Sequence, residues 1–307
     1  MSPTTRAQWQ LHVCVLLWGF TAILGKLITL SALPLVWWRM LIVVVSLLLV
    51  PRVWRGLRAL PPRRIAAYAG IGAIVSLHWL TFYAAVKLAN ASVGASCIAL
   101  APAFLSVIEP AIARRRFDPG ELLLGLLVIP GVVLVAGGVP AGMRIGVAVG
   151  VLSAVFCALF GALNKRMAGH GDPLTVTCIE LGAGTLLLTA LNLVWHRGAG
   201  FVLPGPHDAL LLLTLALACT LLPFALALKV LRHLSAFNVQ LATNLEPVYA
   251  IVLAVILLGE QHQLDGWFYL GVAIILGAVF THPLLKRATL RKPDAEVLAA
   301  AESKAIE

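Results

Sequence analysis

The chain is 307 residues long, 61% hydrophobic and 12% charged, with mean hydropathy +0.97 and a net charge of +10. A soluble domain has roughly 45–50% apolar and about 25% charged residues, so this composition excludes a soluble globular protein and points to an integral membrane protein. The positive residues lie in short clusters between apolar runs rather than on one basic face, which argues against nucleic acid as a partner and for membrane topology.

A membrane span needs about 20 predominantly apolar residues. In chain order, such runs begin near Trp9, Pro34, Ile65, Ala91, Gly120, Gly142, Pro173, His207, Ser235 and Gly266. Each closes at a charged or Pro/Gly-rich break, and together they predict ten transmembrane helices. The first run lacks a short h-region followed by an A-x-A-like site and is expected to be an uncleaved anchor. With the N-terminus placed in the cytoplasm, only Lys26, Lys87, Arg144 and Arg197 of the 23 Lys and Arg fall in outside loops, and Arg39 falls inside a span. The positive-inside rule then places both termini in the cytoplasm. The polar tail from Pro293 to Glu307 carries no assigned function. Cys14, Cys97, Cys157, Cys178 and Cys219 have no CxxC spacing and read as small buried hydrophobes rather than a disulfide set or a metal site.

The chain repeats itself. NASVGASCIALAPAFLSVIEP from Asn90 matches SAFNVQLATNLEPVYAIVLAV from Ser235, with Pro102 falling on Pro247. GLLVIPG from Gly125 matches GVAIILG from Gly271, and Lys26 then Pro34 is echoed by Lys165 then Pro173. The expected organisation is a cytoplasmic N-terminus (1–8), a first five-helix repeat (9–139), a second (140–287) and a cytoplasmic tail (288–307). Five spans per repeat is an odd number, so the second must run upside down relative to the first. Inverted repeats mark secondary transporters, whose substrate site lies near the midplane between the halves.

Polar groups within the spans are the candidate site. Glu246 lies halfway along the ninth span, where a carboxylate is expensive unless it faces protein or water. Pro247 follows it, so a kink is expected there. On the same helix, Gln240, Asn244 and Tyr249 can share one face with each other. Glu246 reads either as a substrate-amine or proton site, or as a structural carboxyl bonded to a neighbouring helix. In the third span, His78, Trp79 and Tyr83 form either a stacking wall with one titratable ring or ordinary packing. Glu180 in the seventh span and Arg39 in the second lie at mirrored depths, and each either lines the pathway or pairs with another group. Arg39, behind Trp37 and Trp38, is within about 8 Å of the outer boundary. It is near enough to snorkel, yet it is suited to holding a carboxylate in a cavity. Glu109 is expected to pair with Arg114, Arg115 and Arg116.

LLWGFTAILGK in the first span, WWRMLIVV in the second and NLEPVYAIVLAVILLGE in the ninth, with the two-repeat plan, resemble the EamA-type transporters of the drug/metabolite transporter superfamily. The likeness covers roughly residues 10 to 285. It implies an all-α membrane protein of ten helices in two inverted halves around a central cavity. It also implies export of small polar or amphipathic metabolites, often amino acids. Arg115 stands where the second half has Glu260, so the terminal Glu of this family pattern is present only once.

The expected function is thus a secondary active or facilitative transporter in a bacterial inner membrane. It would export an amino acid or related metabolite by alternating access, with no cofactor and no metal. Arg39 and Glu246 would hold the polar ends of the substrate, while Trp38, Trp79 and Tyr83 shape the pocket. Glu246, then His78, are the proton-coupling candidates. The alternatives are a translocator of lipids or lipid-linked carriers, and a non-transporting membrane scaffold. No P-loop, HExxH or GxSxG pattern is present, so neither ATP-driven transport nor enzymatic chemistry has visible residues.

Overall fold

The computed structural model describes residues 3–196, 201–234, 239, 242–243 and 245–278. Among them there are helices and no strands. In chain order these are α1 (Pro3–Leu27), α2 (Ala32–Leu48), α3 (Pro51–Ala59), α4 (Pro62–Leu88), α5 (Ala91–Ile98), α6 (Ala101–Ala113) and α7 (Pro119–Gly137). They continue with α8 (Arg144–Met167), α9 (Pro173–His196), α10 (Pro206–Ala216), α11 (Leu222–Val230), α12 (Glu246–Leu258) and α13 (Gly266–Ala278). A π-helical turn, Leu217–Leu221, joins α10 to α11.

Seven helical segments are long and apolar enough to cross a membrane, and an eighth is reached if α2 and α3 count as one bent span. The tenfold expectation is therefore met only in part. The two remaining apolar helices, α12 and α13, are shorter, and both adjoin residues outside the described set. The second span also differs from expectation. Val50 precedes Pro51 and is held out of the helical region, so α2 stops at Leu48, and α3 leaves at 90°. Arg52, Arg55 and Arg58 make α3 strongly amphipathic. Its Val53 is buried, and a Cβ on Gly56 would collide with Thr175 of α9.

Helix starts follow their capping residues. Asn90 Oδ1 accepts the Val93 N–H at 2.9 Å to open α5, and Asp118 accepts that of Gly120 at 2.9 Å to open α7. Glu260 adds a cap from far along the chain. Its buried carboxylate accepts the N–H groups of Ala91 and Ser92, both at 3.0 Å, and the Ser92 hydroxyl at 2.6 Å. In the first half Arg115 pairs instead with Glu109, at 3.5 Å, and with Glu121. The two halves thus close this position by different chemistry.

Two opposite ends can be defined. End I gathers residues 26–31, 87–92 and 205–208. There Lys26 Nζ donates to the Ala89 carbonyl (3.5 Å), Lys87 donates to that of Ile28, and Asp208 takes the Thr29 N–H and hydroxyl. End II gathers 50–64, 165–172 and 229–234. There Lys165 Nζ donates to the carbonyls of Leu231 (2.9 Å) and Leu234 (2.7 Å), Arg232 to that of Gly171, and Arg52 pairs with Asp172. Helix contacts also come in pairs when the halves are exchanged: α4 on α8 with α11 on α1, α4 on α9 with α10 on α2, and α6 on α8 with α12 on α1. Helices α2 and α9 pack on each other, as do α5 and α12.

Candidate functional site

A cavity of about 110 Å³ lies between the halves, and Arg39, His78, Trp79 and Glu246 all line it. Trp18, Phe82, Phe160 and Phe224 contribute to its apolar wall.

Arg39 is 2% exposed and faces this cavity rather than lipid. Its Nε donates to Thr220 Oγ1 at 2.6 Å and its Nη1 to the Tyr83 hydroxyl at 2.9 Å. Its guanidinium carbon sits 3.9 Å above the Trp79 ring, a cation–π contact. Each partner is held from behind. Thr220 donates its own proton to the Leu215 carbonyl at 2.6 Å, a reach of five residues that the π turn makes available, and Tyr83 donates to Thr21 O at 3.4 Å. Gly25 leaves room for the Tyr83 ring, which a Cβ there would overlap. No hydrogen bond among the described residues uses Nη2, so two edges of the guanidinium are fixed and a third remains for a ligand.

Glu246 opens α12, with Pro247 beside it in the first turn. The expected break at this proline is therefore present. It puts the carboxylate at a helix N-terminus, where partial positive charge favours an anion. Pro102 opens α6 in the same way in the first half. Arg39 and Glu246 share the cavity without forming an ion pair among the described residues.

His78 has a defined tautomer. Ser153 Oγ donates to the His78 carbonyl at 2.9 Å, so its lone pairs face Nδ1 at 2.9 Å, and Nδ1 also lies 3.0 Å from the Ser153 carbonyl. Two acceptors at Nδ1 assign the proton there, which leaves Nε2 as the unprotonated ring nitrogen of a residue that lines the cavity.

The other candidates lie elsewhere. Trp38 does not line the cavity, because its indole N–H bonds the Val202 carbonyl at 2.8 Å. Tyr249 is 40% exposed, and its Cβ lies where a side chain on Gly19 would go. Glu180 is buried near Asn164 and Tyr68, away from the cavity. Gln240 and Asn244 lie outside the described residues. Sequence reasoning passed over Trp18, Thr21, Thr220, Phe160 and Phe224. The signal for Thr220 and Phe224 is Pro223 in mid-span, which disrupts the helical ladder and produces the wide turn. Among the described residues no cluster of His, Cys, Asp or Glu is placed to hold a metal ion.

A model of the EamA-like transporter family matches this chain twice, over residues 7–137 and 144–281. The chain belongs to the EamA-like transporter family. It is accordingly a multi-pass membrane transporter of the drug/metabolite transporter superfamily. Eighteen chains of solved structures match it. One of them, titled only "Crystal structure of protein", has a TM-score of 0.66 at 18% identity, over 92% of this chain and 99% of that one. At that identity the likeness speaks for the fold alone. No curated relative matches.

Proposed function

We propose that this EamA-family chain is a secondary active or facilitative transporter that exports amino acids or related small zwitterions across an inner membrane by alternating access. The observation that carries the reading is the cavity itself. It presents a guanidinium from the first half and a carboxylate from the second, unpaired with each other, on aromatic walls. A carboxylate ligand suits the free edge of Arg39, an amine suits Glu246, and an apolar side chain suits Trp18, Trp79 and Phe224. Ten spans in two inverted repeats are supported by the contacts that pair under exchange of the halves and by the matching proline breaks at Pro102 and Pro247. A cytoplasmic end II is supported by the arginines of α3 and the start of α4 and by Lys165, Arg166 and Arg232. Glu246 and the Nε2 atom of His78 are the groups at the cavity able to carry a coupling proton.

One observation favours lipid as the cargo: a groove of about 770 Å³ at end II, lined by leucines of the π turn and by Arg52, Lys229 and Arg232. It shares no lining residue with the central cavity, so the zwitterion reading is preferred.

The test is flux from proteoliposomes loaded with pooled amino acids and related metabolites, read by mass spectrometry with and without a pH gradient, beside Glu246→Gln. Selective loss of one compound class that the variant abolishes supports the reading. Retention of every compound by folded protein overturns it.

A further inference from the structure

A second carboxyl group lies inside the protein away from the cavity. Glu180, about two turns into α9 from end II, is 0% exposed, and among the described residues neither carboxyl oxygen has a hydrogen-bond partner within 3.5 Å. Asn164 of α8 lies beside it, close enough to interact with the carboxyl but short of a hydrogen bond within 3.5 Å, and its amide nitrogen is likewise buried without another partner among the described residues. The neighbouring charged or titratable groups are engaged elsewhere. Tyr68 of α4 donates to the Met167 carbonyl at 3.2 Å, Arg64 to that of His170 at 3.4 Å, and Arg232 to that of Gly171. On the other elements packed against α9, Arg52 of α3 pairs with Asp172, Lys229 of α11 lines the separate groove, and α2 presents Met40. An ionised Glu180 would have neither water nor a counter-charge, a cost that the neutral acid avoids.

On the α4 side the site is closed by a tight helix crossing. A Cβ on Gly72 of α4 would overlap the Glu180 backbone, and one on Gly184 would meet Met40, Ser76 and the Gly72 carbonyl. Asn164 directly precedes Lys165, whose amine holds the carbonyls of Leu231 and Leu234 across end II. A small cavity lined by Tyr68, Asn164, Gly171 and Arg232 lies beside Asn164 at end II, so a widening of end II that frees Lys165 and Arg232 from their carbonyls brings water towards Glu180 through it.

We propose that Glu180, with Asn164 beside it, is a proton-binding site that ties closure of end II to pH. The acid keeps its O–H bond while end II is closed. When the end opens, that bond breaks, the proton passes to entering water, and the hydrated carboxylate faces the opening. Closed end II therefore binds one more proton than open end II, so acid favours closure and alkali favours opening. The use of this device in transport rests on the function proposed above; the proton site does not.

The experiment places spin labels at Arg166 and His233, both exposed at end II, in the full chain in lipid nanodiscs with the five native cysteines replaced. Pulsed EPR then follows the distance from acid to alkaline pH. The parent is expected to shift towards longer distances as pH rises, while Glu180→Gln, which mimics the neutral acid, stays short throughout. The infrared spectrum of the parent should also show a protonated-acid carbonyl band that fades over the same pH range and is missing from the variant. A flat distance in the parent, or the same response in both proteins, overturns the proposal. If Glu180→Gln does not fold, Glu246→Gln decides, because it removes the buried acid of the cavity: a band that remains there and fades with the distance change supports the site, and no such band overturns it. A pH-dependent distance with pH-independent flux leaves the site standing and removes proton coupling from the transport reading.

Discussion

Arg39→Lys keeps a positive charge in the cavity but removes the planar fork. The guanidinium holds Thr220 and Tyr83 at 2.6 and 2.9 Å and rests 3.9 Å over Trp79, with one edge left over. An ammonium presents its donors from a single point and cannot hold both side chains and a carboxylate in that arrangement. The variant should fold, because Thr220 still bonds Leu215 and Tyr83 still bonds Thr21. The loss falls on the ligand. One charge-assisted hydrogen bond contributes about 1.5–3 kcal/mol, equivalent to a rise in KM of about 10- to 150-fold. Because that contact is made equally in the bound and moving states, kcat should change little. The assay is initial-rate flux of the selected compound against its concentration, with thermal unfolding as a control for folding. A folded variant with KM within about twofold of the parent, well below one such bond, would refute contact between Arg39 and substrate.

Trp79→Leu should raise KM by removing the ring under Arg39, a contact of about 0.5–2 kcal/mol. Trp38→Phe should leave KM unchanged and lower stability by about 1 kcal/mol through its lost bond to Val202; matched saturation curves separate the two. Gly25→Ala drives a methyl into the Tyr83 ring, so thermal unfolding should show a loss of about 1–3 kcal/mol and flux a weaker affinity. Glu260→Gln sets an amide N–H against donors it once accepted. It should destabilise the folded protein by about 1–3 kcal/mol in a denaturant titration, with transport per folded molecule unchanged.

The features legible in the sequence were those set by solvent. Hydropathy placed the apolar segments, the Lys26 and Lys165 echo revealed the repeat, and Pro247 marked where α12 begins. The high cost of intramembrane charge pointed to Arg39 and Glu246, and both line the cavity. Directions around a helix were less legible. Trp38 and Arg39 are adjacent, yet one bonds a loop carbonyl and the other faces inward, and no periodicity fixes that choice when every face is apolar. Thr220 was invisible because its position depends on a π turn, which shifts the register of every residue after it. The stop in α2 was readable in Val50–Pro51 but was hidden by the apolar run before it.

The basic residues near span ends acquire a second meaning from the structure. As topology signals they need only reach water, yet Lys26 and Lys165 each donate to carbonyls at the end of a helix from another part of the bundle. Lys87 and Arg232 return the same kind of bond, to Ile28 and Gly171. The two sets occupy opposite ends of the molecule and exchange with the halves of the repeat. Carbonyls at a helix C-terminus lack intrahelical donors, and a cation there satisfies them and the helix dipole together. Such a closure is strong while dry and weak once hydrated, because water replaces the amine at little cost. Under the alternating access proposed above, an end held this way would be stable in two conditions, shut and flooded, with little between them. The cavity of Arg39 and Glu246 lies between two such ends, so in the mechanism proposed above the duplicated lysine that reveals the repeat in the sequence would also supply a means of opening one end without the other.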